Sequence, residues 1–176
     1  MNRKYAAELS SGFLAIPVAL AILGSAWAED VQAQATDYTK ISPAALVKNR
    51  PKGKLTNPYK DTDIDVVAQG EELYQRYSCG GCHGGGGGGG MGPPLTNDIW
   101  IYGGDDDTLF RLVVLGSVGL QKQGYSRKSG ENVVGPMAPF DKLISSSDDL
   151  WRIIVFIRSK YQGDPAYKFG APAETK

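Results

Sequence analysis

The chain has 176 residues, of which 41% are hydrophobic and 22% charged, with 19 basic side chains against 19 acidic ones. That length suffices for one domain with one core, and a net charge of zero speaks against nucleic acid, whose phosphates would demand a basic face. With two cysteines and one histidine in the whole chain, any metal or redox chemistry must be concentrated in one place.

Residues 1–28 read as a secretory signal peptide. Asn2, Arg3 and Lys4 give a positive start, Phe13 to Gly24 is apolar, and Ala26-Trp27-Ala28 fits the small-x-small cleavage pattern. The apolar stretch is shorter than the roughly 20 residues a spanning helix needs, and Pro17 interrupts it, so cleavage is preferred over a retained anchor. The expected product is an exported chain of 148 residues with no membrane span, carrying 17 basic and 18 acidic side chains once Arg3, Lys4 and Glu8 are gone. Residues 29–64, with Pro43, Pro51, Pro58 and the cluster Lys48, Arg50, Lys52 and Lys54, read as an extended N-terminal arm with a solvated charged face.

From Asp65 to Tyr77 the apolar positions fall at helical spacing in Val66, Gly70, Leu73, Tyr74 and Tyr77. Glycine inside a helix is unfavourable by about 1 kcal/mol against alanine, so Gly70 points to a close helix crossing, the alternative being a plain flaw. Cys79, Cys82 and His83 follow in a C-x-x-C-H motif. A disulfide is the ordinary reading in an exported chain. A thioredoxin-like motif needs a βαβ context that the chain lacks, and a structural zinc wants four ligands where three are present. Covalent haem attachment, with two thioethers and a proximal imidazole, accounts for all three residues.

Gly84 to Gly90 come directly behind. Glycine permits left-handed turns and a close pass by the porphyrin, so the run need not be a flexible linker. Low-complexity drift and close approach by a partner are both open for the number seven. A further helix is predicted from about Asp106 to Leu115, with acids at its positive end and a stop at Gly116. The segment "SVGLQKQGYSRKSGENVV" between Gly116 and Gly135 reads as a polar surface loop. Ser147 to Tyr161 is the clearest helix, with Leu150, Ile153, Ile154, Ile157 and Tyr161 on one face and a capping box in Ser146 and Asp149. Residues 162–176 read as a loose tail. No strand alternation competes, so the fold class is all-α, with residues 65–161 as its domain.

The order of these motifs resembles that of class I cytochromes c: a helix with Gly70 and Tyr74, then Cys79-x-x-Cys82-His83, Gly92-Pro93-Pro94-Leu95, a loop methionine and an aromatic-rich last helix. The resemblance implies a few helices wrapped around one covalent haem c. It gives Pro93 the role of offering its carbonyl to the second ring nitrogen of His83, the proximal iron ligand. Met91 and Met137 are the methionines left for the distal position. Met91 sits beside the proximal segment, whereas Met137 lies in Gly135-Pro136-Met137-Ala138-Pro139-Phe140, which is similar to the family's methionine loop. Met137 is therefore the expected distal ligand, filling the sixth position, so the chain is expected to carry electrons rather than to be an enzyme.

Asn57-Pro58-Tyr59, the glycine loop and Asp98-Ile99-Trp100-Ile101-Tyr102-Gly103 look like periplasmic cytochromes of methylotrophic bacteria, the cytochrome cL and c-553 types. That resemblance implies a periplasmic carrier taking electrons from a quinoprotein methanol or alcohol dehydrogenase towards a downstream cytochrome or terminal oxidase. A carrier in another respiratory chain and a gas-binding sensor with a labile Met137 are the alternatives. A peroxidase would need a distal acid–base residue, and no second histidine exists.

Overall fold

The computed structural model describes residues 36–170. Residues 1–28, read as a signal peptide, residues 29–35 of the expected arm and residues 171–176 of the expected tail lie outside them. The described residues form five α-helices and no strand: α1 (Pro43–Asn49), α2 (Ile64–Arg76), α3 (Gly80–His83), α4 (Asp106–Lys122) and α5 (Ser147–Ser159). Two 3-10 turns, Tyr38–Lys40 and Pro165–Tyr167, flank them. The fold is all-α, as the periodicity predicts, and none of these helices is long and apolar enough to cross a membrane.

The helices start where side chains can satisfy free backbone N–H groups. The Asp63 carboxylate accepts from Asp65 and Val66 N–H, Asp105 from Thr108 N–H, and Ser146 from Asp149 N–H at 3.1 Å. The centre of the molecule is the crossing of α2 with α5. A methyl group at Gly70 would collide with the Arg152 carbonyl oxygen and lie 2.9 Å from Phe156 Cβ, so the missing side chain sets how closely the helices approach. Next to it the Tyr74 and Phe156 rings lie 5.0 Å apart, both fully buried. Leu150, Ile153 and Ile154 are buried along the same face, each side chain worth about 1.5–3 kcal/mol of transfer free energy. Gly70 is thus a close crossing, not a flaw.

Three segments depart from expectation. Residues 36–64 are not simply an arm. Ser42 caps α1, Pro43 occupies its first turn where a missing N–H is harmless, and Leu46, Val47 and Leu55 are buried in the main core. The buried Arg111 of α4 binds this segment, donating to the carbonyls of Arg50 and Pro51 at 2.6 and 3.0 Å while its Nε pairs with Asp107 at 3.0 Å. The Asp107 carboxylate in turn accepts from Lys54 and Leu55 N–H. Burial alone would raise its pKa, but the Tyr125 hydroxyl, backbone amides and Arg111 hold it below the usual carboxylate value.

Second, α4 does not end at Gly116. Helical geometry breaks there, with φ 66° and ψ 171°, and resumes to Lys122, placing fully buried Leu120 against Ile101 and Tyr102. Only the later part of the Gly116–Gly135 segment is loop. Third, residues 162–170 fold back rather than trail. Tyr161 donates its hydroxyl to Asp98 O at 2.6 Å, and Lys168 pairs with Asp61 at 3.2 Å. Arg158, 1% exposed, pairs with Asp106 at 2.6 Å and donates to Gly104 O.

Gly70→Ala tests the crossing. It should lower the unfolding free energy by about 1–3 kcal/mol, the usual cost of overpacking, read as a shift in the denaturant midpoint.

Candidate haem site

The site begins as one turn of helix. Tyr74 O accepts from Cys79 N–H at 3.0 Å across a turn in which Ser78 takes φ 59°. His83 N–H then donates to Cys79 O at 3.0 Å. Residues three and four apart share a helix face, so Cys79, Cys82 and His83 are presented together. The cysteines are not joined in a disulfide: Cys79 is half-buried and Cys82 exposed. Burial pushes the Cys79 thiol up to about 11, keeping it protonated at neutral pH.

His83 Nδ1 lies 2.8 Å from the Pro93 carbonyl oxygen. A carbonyl can only accept, so Nδ1 carries the proton and Nε2 presents its lone pair. Gly92 makes room for this ring, since a Cβ there would lie 2.8 Å from it.

Between His83 and Pro93 the glycine loop coils back on itself. Gly92 N–H donates to Cys82 O, Gly89 N–H to His83 O and Leu95 N–H to Gly87 O, at 2.8–2.9 Å. The buried Tyr74 hydroxyl donates to Gly84 O at 2.8 Å. Four of the seven glycines are required by this path. Gly84, Gly87 and Gly89 have φ of 80°, 81° and 97°, in the left-handed region that side chains disfavour. At Gly90 a Cβ would stand 2.8 Å from Cys82 O. Gly85, Gly86 and Gly88 are exposed, with ordinary φ; a Cβ would meet nothing within 4 Å at Gly86 and Gly88, and only Gln75 Nε2 at 3.9 Å at Gly85.

Cys79, Cys82, His83 and Pro93 line a cavity of about 630 Å³. Its other walls are Leu109 and Val113 of α4, Ile153 and Ile157 of α5, Trp100, Tyr102 and the Met137 loop. Both methionines reach the cavity, but Met137 is partly buried against the core whereas Met91 is 64% exposed. Val118, Gln121, Arg127 and Glu131, from the segment read as a surface loop, also line it. Nothing in their spacing marks them as wall residues. The donor set fits a haem c: two thiols for two vinyl groups, one imidazole with a free nitrogen, and apolar walls for the porphyrin. Among the described residues, no three His, Cys, Asp or Glu side chains gather to hold a metal ion by themselves.

Residues 65–157, over half of the chain, match the family described as Cytochrome C oxidase, cbb3-type, subunit III. The chain belongs to this cytochrome c family. Its cofactor is a covalently bound haem c, and this cytochrome is an electron carrier with a class I fold. Two solved structures are similar to it. Cytochrome cL from the marine methylotrophic bacterium Methylophaga aminisulfidivorans MPT is 23% identical over 69% of this chain and 77% of its own, with a TM-score of 0.48. Cytochrome cL from Hyphomicrobium denitrificans is 27% identical over 73% and 65%, with a TM-score of 0.44. No curated protein sequence matches the chain.

The glycine loop of this cytochrome yields a position-by-position expectation. Gly85, Gly86 or Gly88→Ala should change the unfolding free energy by less than about 0.5 kcal/mol, like other unconstrained surface sites. Gly84, Gly87 or Gly89→Ala should each cost roughly 1–2 kcal/mol for forcing a side chain into the left-handed region. Denaturant titration of the six variants separates the two groups.

Proposed function

We propose that this cytochrome is an exported, periplasmic carrier of single electrons in which Cys79 and Cys82 hold the haem by thioethers, His83 is the proximal ligand and Met137 the distal one. The reading rests on one observation: residues 79, 82, 83, 93 and 137, up to 58 positions apart, line a single largely apolar cavity. When bound, haem c supplies an iron that alternates between ferric and ferrous states.

The chain's own residues prepare that change. The Cys79 and Cys82 thiols would hold the haem as thioethers to its two vinyl groups, on the same turn that carries His83. Pro93 O accepts the Nδ1 proton, which locks the imidazole plane and strengthens Nε2 as a donor. The neutral Met137 thioether would favour ferrous iron and so raise the potential. Leu109, Val113, Ile153 and Ile157 keep water from the ring. With His83 and Met137 both serving as ligands, the iron would have no position open to a substrate.

The donor we propose is a quinoprotein methanol or alcohol dehydrogenase, and the acceptor a downstream cytochrome or terminal oxidase. Support comes from the likeness of Asn57-Pro58-Tyr59 and of Asp98 to Gly103 to methylotroph cytochromes, and from the signal-like residues 1–28. Both motifs have places in this fold. Asn57 donates to Trp151 O at 3.0 Å, and Trp100 and Tyr102 line the cavity.

Extraction with acid–acetone should leave the colour with the protein, and free haem in the organic layer would overturn the thioether assignment. Met137→Ala should abolish the weak far-red sulfur-to-iron band and lower the potential, whereas Met91→Ala should leave both unchanged. Exchange of these phenotypes would make Met91 the ligand.

The partner assignment has its own check. Reduction by a reduced quinoprotein alcohol dehydrogenase should be faster than by an unrelated donor. It should also depend on ionic strength, since charge-guided encounter is screened beyond about 10 Å at 0.1 M salt. Equal rates from both donors would remove the dehydrogenase.

A further inference from the structure

The break in α4 lies against the methionine loop. Gly116, buried, takes φ 66° and ψ 171°, a region open almost only to glycine. With that ψ the N–H of Ser117 turns out of the helical ladder and donates to Met137 O at 3.0 Å. The Val113 carbonyl, which a continuous helix would pair with Ser117, instead accepts from Phe140 N–H at 2.9 Å. One rung of the helix has been opened, and its two halves are paired with the two ends of the segment 137–140. The Ser117 hydroxyl adds a third bond, accepting from Met137 N–H at 3.0 Å. Ser117 therefore holds both backbone polar groups of Met137. A Cβ at Gly116 would lie 2.5 Å from Met137 O and 2.9 Å from Pro139 N, so the loop rests directly on the break.

We propose that Ser117 is a positioning residue for the distal ligand: it clamps the Met137 backbone to the opened rung of α4 and so sets how readily the thioether leaves the iron. This rests on the assignment of Met137 as distal ligand. The sequence hides the device because Gly116 looks like a helix stop and Ser117 like the start of a polar loop. Proline-stiffened on both sides by Pro136 and Pro139, the loop has little slack of its own. Freeing one backbone bond therefore raises the population in which Met137 swings away.

The test uses the full holoprotein. Cyanide can take the sixth position of the ferric protein only after the methionine has left, so its binding rate reports that departure. Ser117→Ala keeps the N–H but loses the hydroxyl. It should bind cyanide roughly twofold to tenfold faster, the range one net hydrogen bond represents, and lose the far-red band at lower temperature than the wild type. Ser117→Thr, which restores the hydroxyl, should return both readouts towards wild type. Hydrogen exchange at the Met137 amide should quicken in Ser117→Ala and not in Ser117→Thr.

Met137→Ala separates the two levels of the argument. If Met137→Ala keeps the band and the slow rate, the ligand assignment falls and the clamp falls with it. If Met137→Ala loses the band while Ser117→Ala binds cyanide at the wild-type rate, the clamp alone is overturned. The same holds if Ser117→Ala lowers only the unfolding midpoint, since a merely structural serine would do that without touching ligand exchange.

Discussion

Two helices approach only as closely as the side chains between them allow, and here that separation is set by an absent one. The Arg152 carbonyl and Phe156 Cβ occupy the space a side chain at Gly70 would need. From that contact the geometry of the site propagates along α2. Tyr74, one turn on, packs against Phe156 and reaches Gly84 O with its hydroxyl. Its carbonyl starts the turn of Cys79–His83. Along α5, Ile153 and Ile157 each lie one residue beyond the contact residues Arg152 and Phe156 and form part of the cavity wall. A side chain at position 70 would therefore displace both the thiol-bearing turn and the wall it faces.

Much of this could be read from the residues. The α2 and α5 helices have apolar stripes at helical spacing, and α5 a capping box at its start, and these features survive in the fold with ends displaced by a residue or two. Cys79, Cys82 and His83 are legible because covalent attachment requires them within one helical turn, so the chemistry is local. Met137 is legible only by its loop, and the loop's attachment to α4 is not, because both Ser117 N–H to Met137 O and Phe140 N–H to Val113 O are backbone pairs. Backbone pairing leaves little trace in composition. The α1 helix carried a proper signal in Ser42-Pro43, but nearby prolines and lysines suggested an arm. What decides its place is Arg111, some sixty residues away, taking up the carbonyls at its end.

The glycine tract divides into two populations that look identical in sequence. Gly84, Gly87, Gly89 and Gly90 are held by backbone sterics, while Gly85, Gly86 and Gly88 face outward with nothing near enough to exclude a side chain. Drift and constraint therefore coexist within one run, and the number seven needs no single cause. The constrained members are spaced so that the loop returns to Pro93, the carbonyl that orients His83.

Charge in this molecule is sorted by depth. Arg111, beside Asp107 and the carbonyls of Val47, Arg50 and Pro51, and Arg158, beside Asp106 and the Gly104 carbonyl, are almost wholly enclosed, and together they tie the segment around residues 47–55 and the end of α5 to α4. Enclosed pairs are screened far less by dissolved salt than charges at the surface. The lysines and acids left outside are free to respond to the medium without loosening these ties. Added salt should thus weaken attractions at the surface well before it loosens the shape, so surface electrostatics and integrity answer to different variables.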